Sequence, residues 1–329
     1  MINEEFIAYK NELEKRDRFT FMTDDEKQDY HVMSLAPKVF SMKKAKQHPF
    51  TWAYHVVGIK PRDYQFKMLD FMFKYGKVAG VTSRQIGKST CVGLFAFWAA
   101  YNNMYPSGPQ KDTKILIISQ TEDAAKKLLR DIDGFITLAD QRMSLYTKQT
   151  PRHEKNYFRD RLKEKPTQFE IQFTKGSIKV FPPTTRVRGN SADVLIIDEA
   201  AFLKNPDPDY FFASEASPTT TATMGKIFLF STPKSTNGFF HDIIRPHADD
   251  ALEGWERIWL PWTIYDDQSF HQHIWNERER YVSKGDELDF KIEYEASFLS
   301  GKHSYFNPAI IDQCVDESLR EEYSWKTPA

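Results

Sequence analysis

The sequence has few cysteines, almost no net charge and no long apolar run. Its two cysteines, Cys91 and Cys314, are too few for a disulfide framework or a zinc cluster, and we expect both to be reduced thiols in a cytosolic compartment. A net charge of −1 gives no global basic field, so a nucleic-acid contact requires a local patch. No apolar run reaches the ~18 residues of a membrane span, and the charged N-terminus lacks the apolar segment of a signal peptide.

What the sequence does contain is a regular alternation of apolar strands and helices. With 329 residues, 40% of them hydrophobic, the chain has room for one large domain with a satellite or for two small ones. Apolar runs predict strands near 78–82, 114–118, 194–198 and 226–230, joined through helices, which indicates an α/β fold with a mostly parallel sheet and helices on both faces. A predicted hairpin at 169–181 should extend one edge antiparallel.

The first strand leads into a motif that is typical of phosphate binding. A polar turn, Thr82 to Ile86, is followed by Gly87-Lys88-Ser89-Thr90 and a long apolar helix, which is the context of a P-loop, or Walker A motif. Lys88 would reach the β- and γ-phosphates and Ser89 would hold Mg²⁺. Since Thr82 stands where the motif has its first glycine, the motif alone is equally compatible with an ordinary strand, a helix start and a solvated lysine.

A second strand ends in two carboxylates and favours the phosphate-binding interpretation. Residues 194–197 are all apolar and are followed by Asp198 and Glu199, which places both acids at the edge where open α/β sheets bind ligands. Asp198 would join the Mg²⁺ shell as the Walker B residue, and Glu199 would polarise the attacking water. Together with the lysine motif, this arrangement indicates a nucleoside triphosphatase.

Several further residues are candidates for the nucleotide site, and each also has an ordinary structural explanation. Gln65 precedes the first strand by one helix and could read an adenine edge, or it could be an exposed helix-start glutamine. Arg84 and Arg188 could each stabilise a γ-phosphate, whereas most loop arginines are simply solvated. Ser231-Thr232 end a strand and could sense the phosphate, or form an ordinary turn before proline. The basic stretch 140–166 is as compatible with a solvated insertion as with a nucleic-acid patch.

Taken in order, these motifs resemble the ATPase domain of the terminase large subunit, the DNA-packaging motor of tailed bacteriophages and herpesvirus-like viruses. The resemblance rests on RDYQ (62–65), SRQIGKST (83–90), RVRGNSADVLIIDEAAFL (186–203), FLFSTPKSTNGFF (228–240), PWT (261–263) and EYEASFLSG (293–301). A P-loop that lacks its first glycine and carries an internal arginine is typical of that family.

The resemblance implies a site and a set of partners. The nucleotide-binding residues would be Tyr64, Gln65, Arg84, Gly87, Lys88, Ser89, Thr90 and Asp198; Ser89 and Asp198 would hold the metal; Glu199, Arg84 and Arg188 would be catalytic; and Ser231 and Thr232 would form the coupling motif. It implies ATP and Mg²⁺ as cofactors, and double-stranded DNA, the viral portal or procapsid and the small terminase subunit as partners. It also implies a homo-oligomeric ring, a pentamer, on the portal, a monomer in isolation, and action in the host cell cytoplasm without a membrane.

The resemblance further implies a P-loop NTPase fold of the ASCE type with a small helical lid. We expect residues 1–57 and 265–301 to pack together as that lid beside the ATP site, and residues 58–264 to form the ATPase core. Residues 302–329 would be a linker towards a nuclease domain that this chain does not contain.

Three rival functions remain open at this point. A helicase-like DNA translocase, or another DNA-dependent P-loop ATPase, would need a second ATP-sandwiching domain. A small-molecule kinase would not usually place Glu199 directly after Asp198. A silent nucleotide-binding scaffold would have no reason to keep both Lys88 and Glu199. The sequence also leaves open whether Arg84 or Arg188 is the main arginine finger.

Overall fold

The computed structural model describes residues 24–34, 41–147, 156–245, 254–264 and 267–299. The strands of these ranges are β1 Lys77–Thr82, β2 Thr113–Ser119, β3 Glu170–Phe173, β4 Gly176–Phe181, β5 Val194–Asp198, β6 Lys226–Ser231 and β7 Glu256–Leu260. The helices are α1 Asp24–Ser34, α2 Met42–Ala45, α3 Pro49–Trp52, α4 Asp63–Lys74, α5 Lys88–Asn102, α6 Glu122–Thr147, α7 Pro208–Phe211, α8 Phe239–Ile244, α9 Gln268–Ser283 and α10 Glu287–Glu293. None of these helices combines the length and the apolar character that crossing a bilayer requires.

The strands form one sheet in the order β3-β4-β2-β5-β6-β1-β7. Every neighbouring pair is parallel except β3 with β4, which confirms the predicted mostly parallel α/β fold and its four central strands. The hairpin does lie at one edge, but only β3 runs antiparallel, because β4 pairs in parallel with β2. Strand β7, which the sequence did not reveal, adds a further parallel partner to β1.

Alternate residues of the central strands point to opposite faces of the sheet and enter separate hydrophobic clusters. The first cluster receives Val78, Ile115, Ile117, Val194, Ile196, Phe228 and Phe230. The second receives Ala79, Val81, Leu116, Ile118, Leu195, Ile197, Ile227 and Leu229. Helices α4, α5 and α6 contribute to the first cluster, and α7 and α8 to the second. The molecule therefore has three layers, with the sheet buried between helices.

The described N-terminal residues from Ala45 to Val57 pack in the first cluster, beside α5. Trp52 lies in the first cluster, where its ring meets Phe97 of α5 edge-on with centroids 5.5 Å apart. Helices α9 and α10 share a small cluster of their own, centred on Trp262, Ile274 and Phe290. The prediction that residues 1–57 and 265–301 form one lid beside the ATP site stays a prediction. The predicted linker, 302–329, lies outside the described residues.

The parallel strands bring their C-terminal ends to one edge of the sheet. Val81 of β1 pairs with Ser231 of β6, and Asp198 of β5 pairs with Phe230 of the same strand. The segments that follow β1, β5 and β6 therefore leave the sheet side by side. All the strongest candidate residues of the sequence lie in these segments.

Candidate nucleotide site

The loop between β1 and α5, residues 83–87, is tightly curved and closely anchored. Gln85 and Gly87 both have positive φ angles, of 62° and 81°, and α5 begins directly afterwards at Lys88. The positive φ of Gly87 favours glycine at this position, and a Cβ atom there would displace the Nε2 group of Gln65. Backbone N–H groups at such a turn and helix start form an anion-binding cradle.

Gln65 is a structural neighbour of this loop. Its side-chain Nε2 donates to the carbonyl of Ile86 at 3.1 Å, while its Oε1 accepts from the amide of Arg62 at 2.9 Å. The glutamine thus joins the start of α4 to the loop, and its role as adenine reader stays a prediction. Tyr64, the residue beside it, is buried in the first cluster, which is a packing position; its assignment to the nucleotide also stays a prediction.

Four of the predicted residues meet at the sheet edge in two pairs. Ser89 Oγ donates to Asp198 Oδ2 at 2.8 Å, and Lys88 Nζ lies 2.9 Å from Glu199 Oε1. Glu199 has a left-handed backbone, with φ of 57°, a conformation that is uncommon outside glycine and that clusters at functional sites. The sharp turn after β5 therefore directs Glu199 back towards Lys88.

Burial sets the protonation behaviour of Asp198. Desolvation raises the pKa of this carboxyl to about 6, although the positive charge of Lys88 opposes the rise. The side chain is ionised at neutral pH and becomes protonated in mildly acidic solution. Since only the ionised form is a good ligand for a divalent cation, acidification would weaken metal binding here.

The donor set fits a hard divalent cation held together with phosphate oxygens. Oδ1 of Asp198 is buried and has no hydrogen-bond partner within the described part of the chain. The Ser89 hydroxyl lies beside the other oxygen of the same carboxylate. Mg²⁺ typically takes one or two protein oxygens plus water and substrate phosphates, so Ser89 and Asp198 supply what the protein would be expected to contribute.

The predicted coupling residues contact Glu199. Ser231 Oγ donates to Glu199 Oε2 at 3.3 Å, and the amide of Thr232 donates to the same oxygen at 3.4 Å. Ser231 Oγ also accepts from the amide of Ala201 at 3.2 Å. Glu199 is therefore in direct contact with the end of β6.

Arg84 has a partner that the sequence did not reveal. Its Nε lies 2.5 Å from Glu293 Oε2, and its backbone amide donates to the carbonyl of Glu293 at 2.9 Å. Glu293 is the last residue of α10, more than 200 positions along the chain. Glu293 is the first residue of the EYEASFLSG motif, and that motif was the only indication in the sequence that this segment belongs near the site.

Arg188 lies apart from this cluster. Its side chain is 53% exposed, and Nη2 contacts Oε1 of the buried Glu215 at 2.9 Å. The hydroxyl of Tyr210 is 3.5 Å from the same nitrogen. Glu215 belongs to the π-helical segment Phe212–Ala216, and the sequence gave no indication that it would hold this arginine.

The parallel sheet, the curved loop before α5 and the paired carboxylates after β5 define a P-loop NTPase-type fold of the ASCE class. Solved structures with this fold include the large terminase ATPase domain of Thermus phage P74-26. A point mutant of that domain has a TM-score of 0.57, with 16% identity over 77% of this chain and 100% of its own. The domain without the mutation has a TM-score of 0.54, with 16% identity over 77% of this chain and 99% of its own. The HK97 bacteriophage large terminase has a TM-score of 0.58 at 11% identity, covering 82% of this chain but 58% of its own.

The sequence also matches a family model directly. Residues 80–313 match the family described as terminase large subunit, T4likevirus-type, N-terminal. The matched range covers well over half of the chain, so this protein belongs to the terminase large subunit family.

Proposed function

We propose that this protein is the ATP-hydrolysing motor of a viral DNA-packaging terminase, which uses ATP and Mg²⁺ to move double-stranded DNA into a procapsid. The observation that carries the proposal is the meeting of Lys88, Ser89, Asp198 and Glu199 at one sheet edge. Each has the chemistry that phosphoryl transfer to water requires. Family membership supports the packaging role.

The two residue pairs suggest how the site works. Lys88 is paired with Glu199, and a triphosphate would supply Lys88 with a stronger anionic partner. Glu199 would then be available to orient and polarise the attacking water. Mg²⁺, held through Ser89 and Asp198, would neutralise charge developing on the phosphate oxygens.

The contacts of Glu199 with β6 favour a coupling role for Ser231 and Thr232. Both donate to Glu199 Oε2 at distances above 3.2 Å, which are long hydrogen bonds. A small shift of Glu199 during hydrolysis would break or tighten them, and the change would pass to the segment after β6. We assign these residues to transmission of the hydrolysis step.

The partners follow from this function. Double-stranded DNA, the portal of the procapsid and the small terminase subunit are the expected partners, with a ring of subunits on the portal and a monomer in isolation. The expected place of action is the host cell cytoplasm.

DNA-stimulated ATPase activity, measured with and without portal, tests the proposal. Stimulation that depends on portal favours the packaging motor, whereas stimulation by DNA alone favours the helicase-like translocase.

Two substitutions separate binding from hydrolysis. Lys88→Ala should abolish nucleotide binding and turnover, because it removes the cation beside the phosphate position. Glu199→Gln should retain binding of Mg·ATP and lower turnover by about 10²- to 10⁴-fold, because an amide cannot polarise water in the same way. Titration with a fluorescent ATP analogue and a phosphate-release assay measure the two properties.

Exposed residues of matching type provide the controls. Lys111→Ala and Glu164→Gln change the same charges at exposed positions and should leave both properties unchanged. Wild-type turnover in Glu199→Gln would assign the catalytic carboxylate to another residue.

A further inference from the structure

The exposed Arg188 is anchored by one buried acid. Its Nη2 atom donates to Oε1 of Glu215 at 2.9 Å, and Glu215 is 9% exposed whereas the arginine side chain is 53% exposed. Within the described part of the chain, this is the only ion pair that either residue makes. Because a buried carboxylate is costly without a partner, we expect the folded protein to maintain the pair.

The backbone on both sides of Arg188 is also fixed. The preceding residue, Val187, is fully buried. The side-chain Nδ2 of Asn190 donates to the carbonyls of Arg186 and Val187 at 2.9 and 3.1 Å. The Cα atom of Arg188 therefore has a defined position, and the direction of its long side chain depends on Glu215.

The contact with Glu215 leaves most of the guanidinium available. Among the described residues, the side chain of Arg188 makes polar contacts through Nη2 alone, to Glu215 and, at 3.5 Å, to the hydroxyl of Tyr210. A guanidinium carries five N–H donors and can bind a phosphate through two of them at once. Nε and Nη1 can therefore donate to an anion while Nη2 stays on Glu215, so the arginine need not leave its anchor in order to act.

Glu215 lies outside the nucleotide site and on an unusual backbone. It belongs to the π-helical segment Phe212–Ala216, which follows α7 directly. π-helical turns are rare and occur frequently at functional sites. In the described structure, neither Glu215 nor Arg188 contacts the four residues that meet at the sheet edge. The pair therefore suits a phosphate that is presented by another molecule.

We propose that Glu215 is a positioning residue, which holds Arg188 so that the free N–H groups of its guanidinium meet the γ-phosphate of a neighbouring subunit's nucleotide. The inference deepens the proposed function and rests on it, since it requires the ring of subunits. An arginine without this anchor would have to lose its rotamer freedom in every turnover. Glu215 therefore contributes to the rate of hydrolysis and not to the affinity for ATP.

Substitution of Glu215 should lower kcat in portal-bound rings and leave KM for ATP unchanged. Glu215→Ala should reduce kcat about 10- to 30-fold, the fold-change that corresponds to ordering one arginine side chain. Glu215→Gln keeps an oxygen acceptor at the same place and should reduce kcat by less than about fivefold. Steady-state phosphate release measures both constants, and thermal unfolding verifies that each variant is folded.

Two control variants separate the anchor from its surroundings. Tyr210→Phe removes a hydroxyl that is 3.5 Å from Nη2, which is longer than a normal hydrogen bond, and should leave kcat within about twofold of wild type. Glu170→Gln removes a carboxylate that pairs loosely with Lys179 at 3.9 Å and should have no effect. In an Arg188→Ala background, Glu215→Ala should cause no further loss, because the residue that it positions is absent.

Mixed rings distinguish positioning of the arginine finger from support of the fold. A mixture of Glu215→Ala and Glu199→Gln subunits should exceed the mean ATPase activity of the two separate preparations, because some interfaces join an intact site to an intact finger. A mixture of Glu215→Ala and Arg188→Ala subunits should show no such gain, since every finger is defective. A purely structural role for Glu215 would damage the site of its own subunit and abolish the gain with Glu199→Gln.

The outcomes separate this inference from the proposed function. Wild-type kcat in Glu215→Ala, a parallel change of KM and kcat, or no gain in the mixture with Glu199→Gln overturns the positioning role. A gain in the mixture with Arg188→Ala also overturns it. Wild-type rings that show no portal-dependent hydrolysis would instead overturn the proposed function.

Discussion

Glu295 is a buried carboxylic acid without a hydrogen-bond partner among the described residues. Its exposed fraction is 0%, and neither carboxylate oxygen is paired within that part of the chain. Burial raises the pKa of this carboxyl to about 7. Because ionisation inside the protein has no compensating partner, the folded state prefers the protonated acid.

This residue should make stability depend on pH in a definite direction. A carboxyl whose pKa is higher in the folded than in the unfolded state stabilises the fold at low pH, and the contribution is lost as pH rises through about 7. Between pH 5.5 and pH 8, the free energy of unfolding should fall by about 2 kcal/mol on account of Glu295. Glu295→Gln should remove that dependence and raise stability at pH 8, as measured by urea unfolding at both pH values.

Comparison of the Glu295→Gln variant with wild type separates the contribution of Glu295 to the pH dependence of stability from the contributions of other titrating groups. Glu164→Gln, at an exposed position, should reproduce the wild-type pH dependence. An identical pH dependence in Glu295→Gln would show that Glu295 finds a partner in solution.

At the scale of single residues, the sequence was informative where function requires a local motif. Lys88 and Ser89 are adjacent in the chain, as are Asp198 and Glu199, so each pair could be recognised on its own, and their meeting followed from the parallel sheet. Glu293 could not be found in this way. A charged residue at a helix end carries no local pattern, and its partner Arg84 is distant in sequence.

At the scale of elements, Lys226 connects the start of β6 to the end of α4. Its ammonium group donates to the carbonyls of Met72, Phe73 and Tyr75 at 3.2, 2.8 and 2.9 Å. These carbonyls belong to the last turn of α4 and the residue after it, where a helix has no further N–H groups to pair with its carbonyls. Burial lowers the pKa of Lys226 to about 8, so it remains mostly protonated at neutral pH and offsets the negative end of the helix dipole.

Replacement of this lysine should destabilise the protein. Lys226→Met keeps the apolar stem but removes three charge-assisted hydrogen bonds, and we expect the free energy of unfolding at pH 7 to fall by about 2 kcal/mol. Chemical unfolding followed by tryptophan fluorescence measures the change. Lys179→Met, on strand β4 with a loose 3.9 Å ion pair to Glu170, should have an effect below about 0.5 kcal/mol. Equal effects in the two variants would refute the capping role.

The elements themselves were predictable in proportion to how strongly they are buried. The runs that became β1, β2, β5 and β6 are continuous and apolar because both sheet faces are covered. Strand β7 begins with the charged residues Glu256 and Arg257. Its apolar part is therefore too short to be recognised as a strand from the sequence. The position of β4 beside β2, and the separate packing of α9 with α10, depend on contacts between distant segments that no local pattern encodes.

At the scale of the whole molecule, we propose that Arg188, whose side chain is 53% exposed, acts between the subunits of a ring. Arg188→Ala and Glu199→Gln should each be inactive in portal-bound packaging, since an arginine finger contributes about 10³- to 10⁵-fold in rate. In a mixed ring, some interfaces join an intact Glu199 site to a neighbour's intact Arg188, so part of the ATPase activity should return. Portal-dependent phosphate release from the separate and mixed variants provides the measurement.

The controls distinguish Arg188 from its surroundings and from Arg84. Arg186→Ala alters an exposed arginine two residues away and should remain active alone. A mixture that stays inactive although rings assemble would assign the finger to Arg84, acting within its own subunit.

The placement of β1 between β6 and β7 has a consequence for synthesis of the chain. β1 is made early, but both strands that flank it come from residues 226–260. At about 5–20 residues per second, the loop after β1 waits on the order of ten seconds for its sheet neighbours. Such long-range pairing slows folding, and an unfinished chain exposes the apolar β1 throughout that interval. We therefore expect nascent chains to aggregate more readily than the completed protein, and the nucleotide loop to be among the last parts to form.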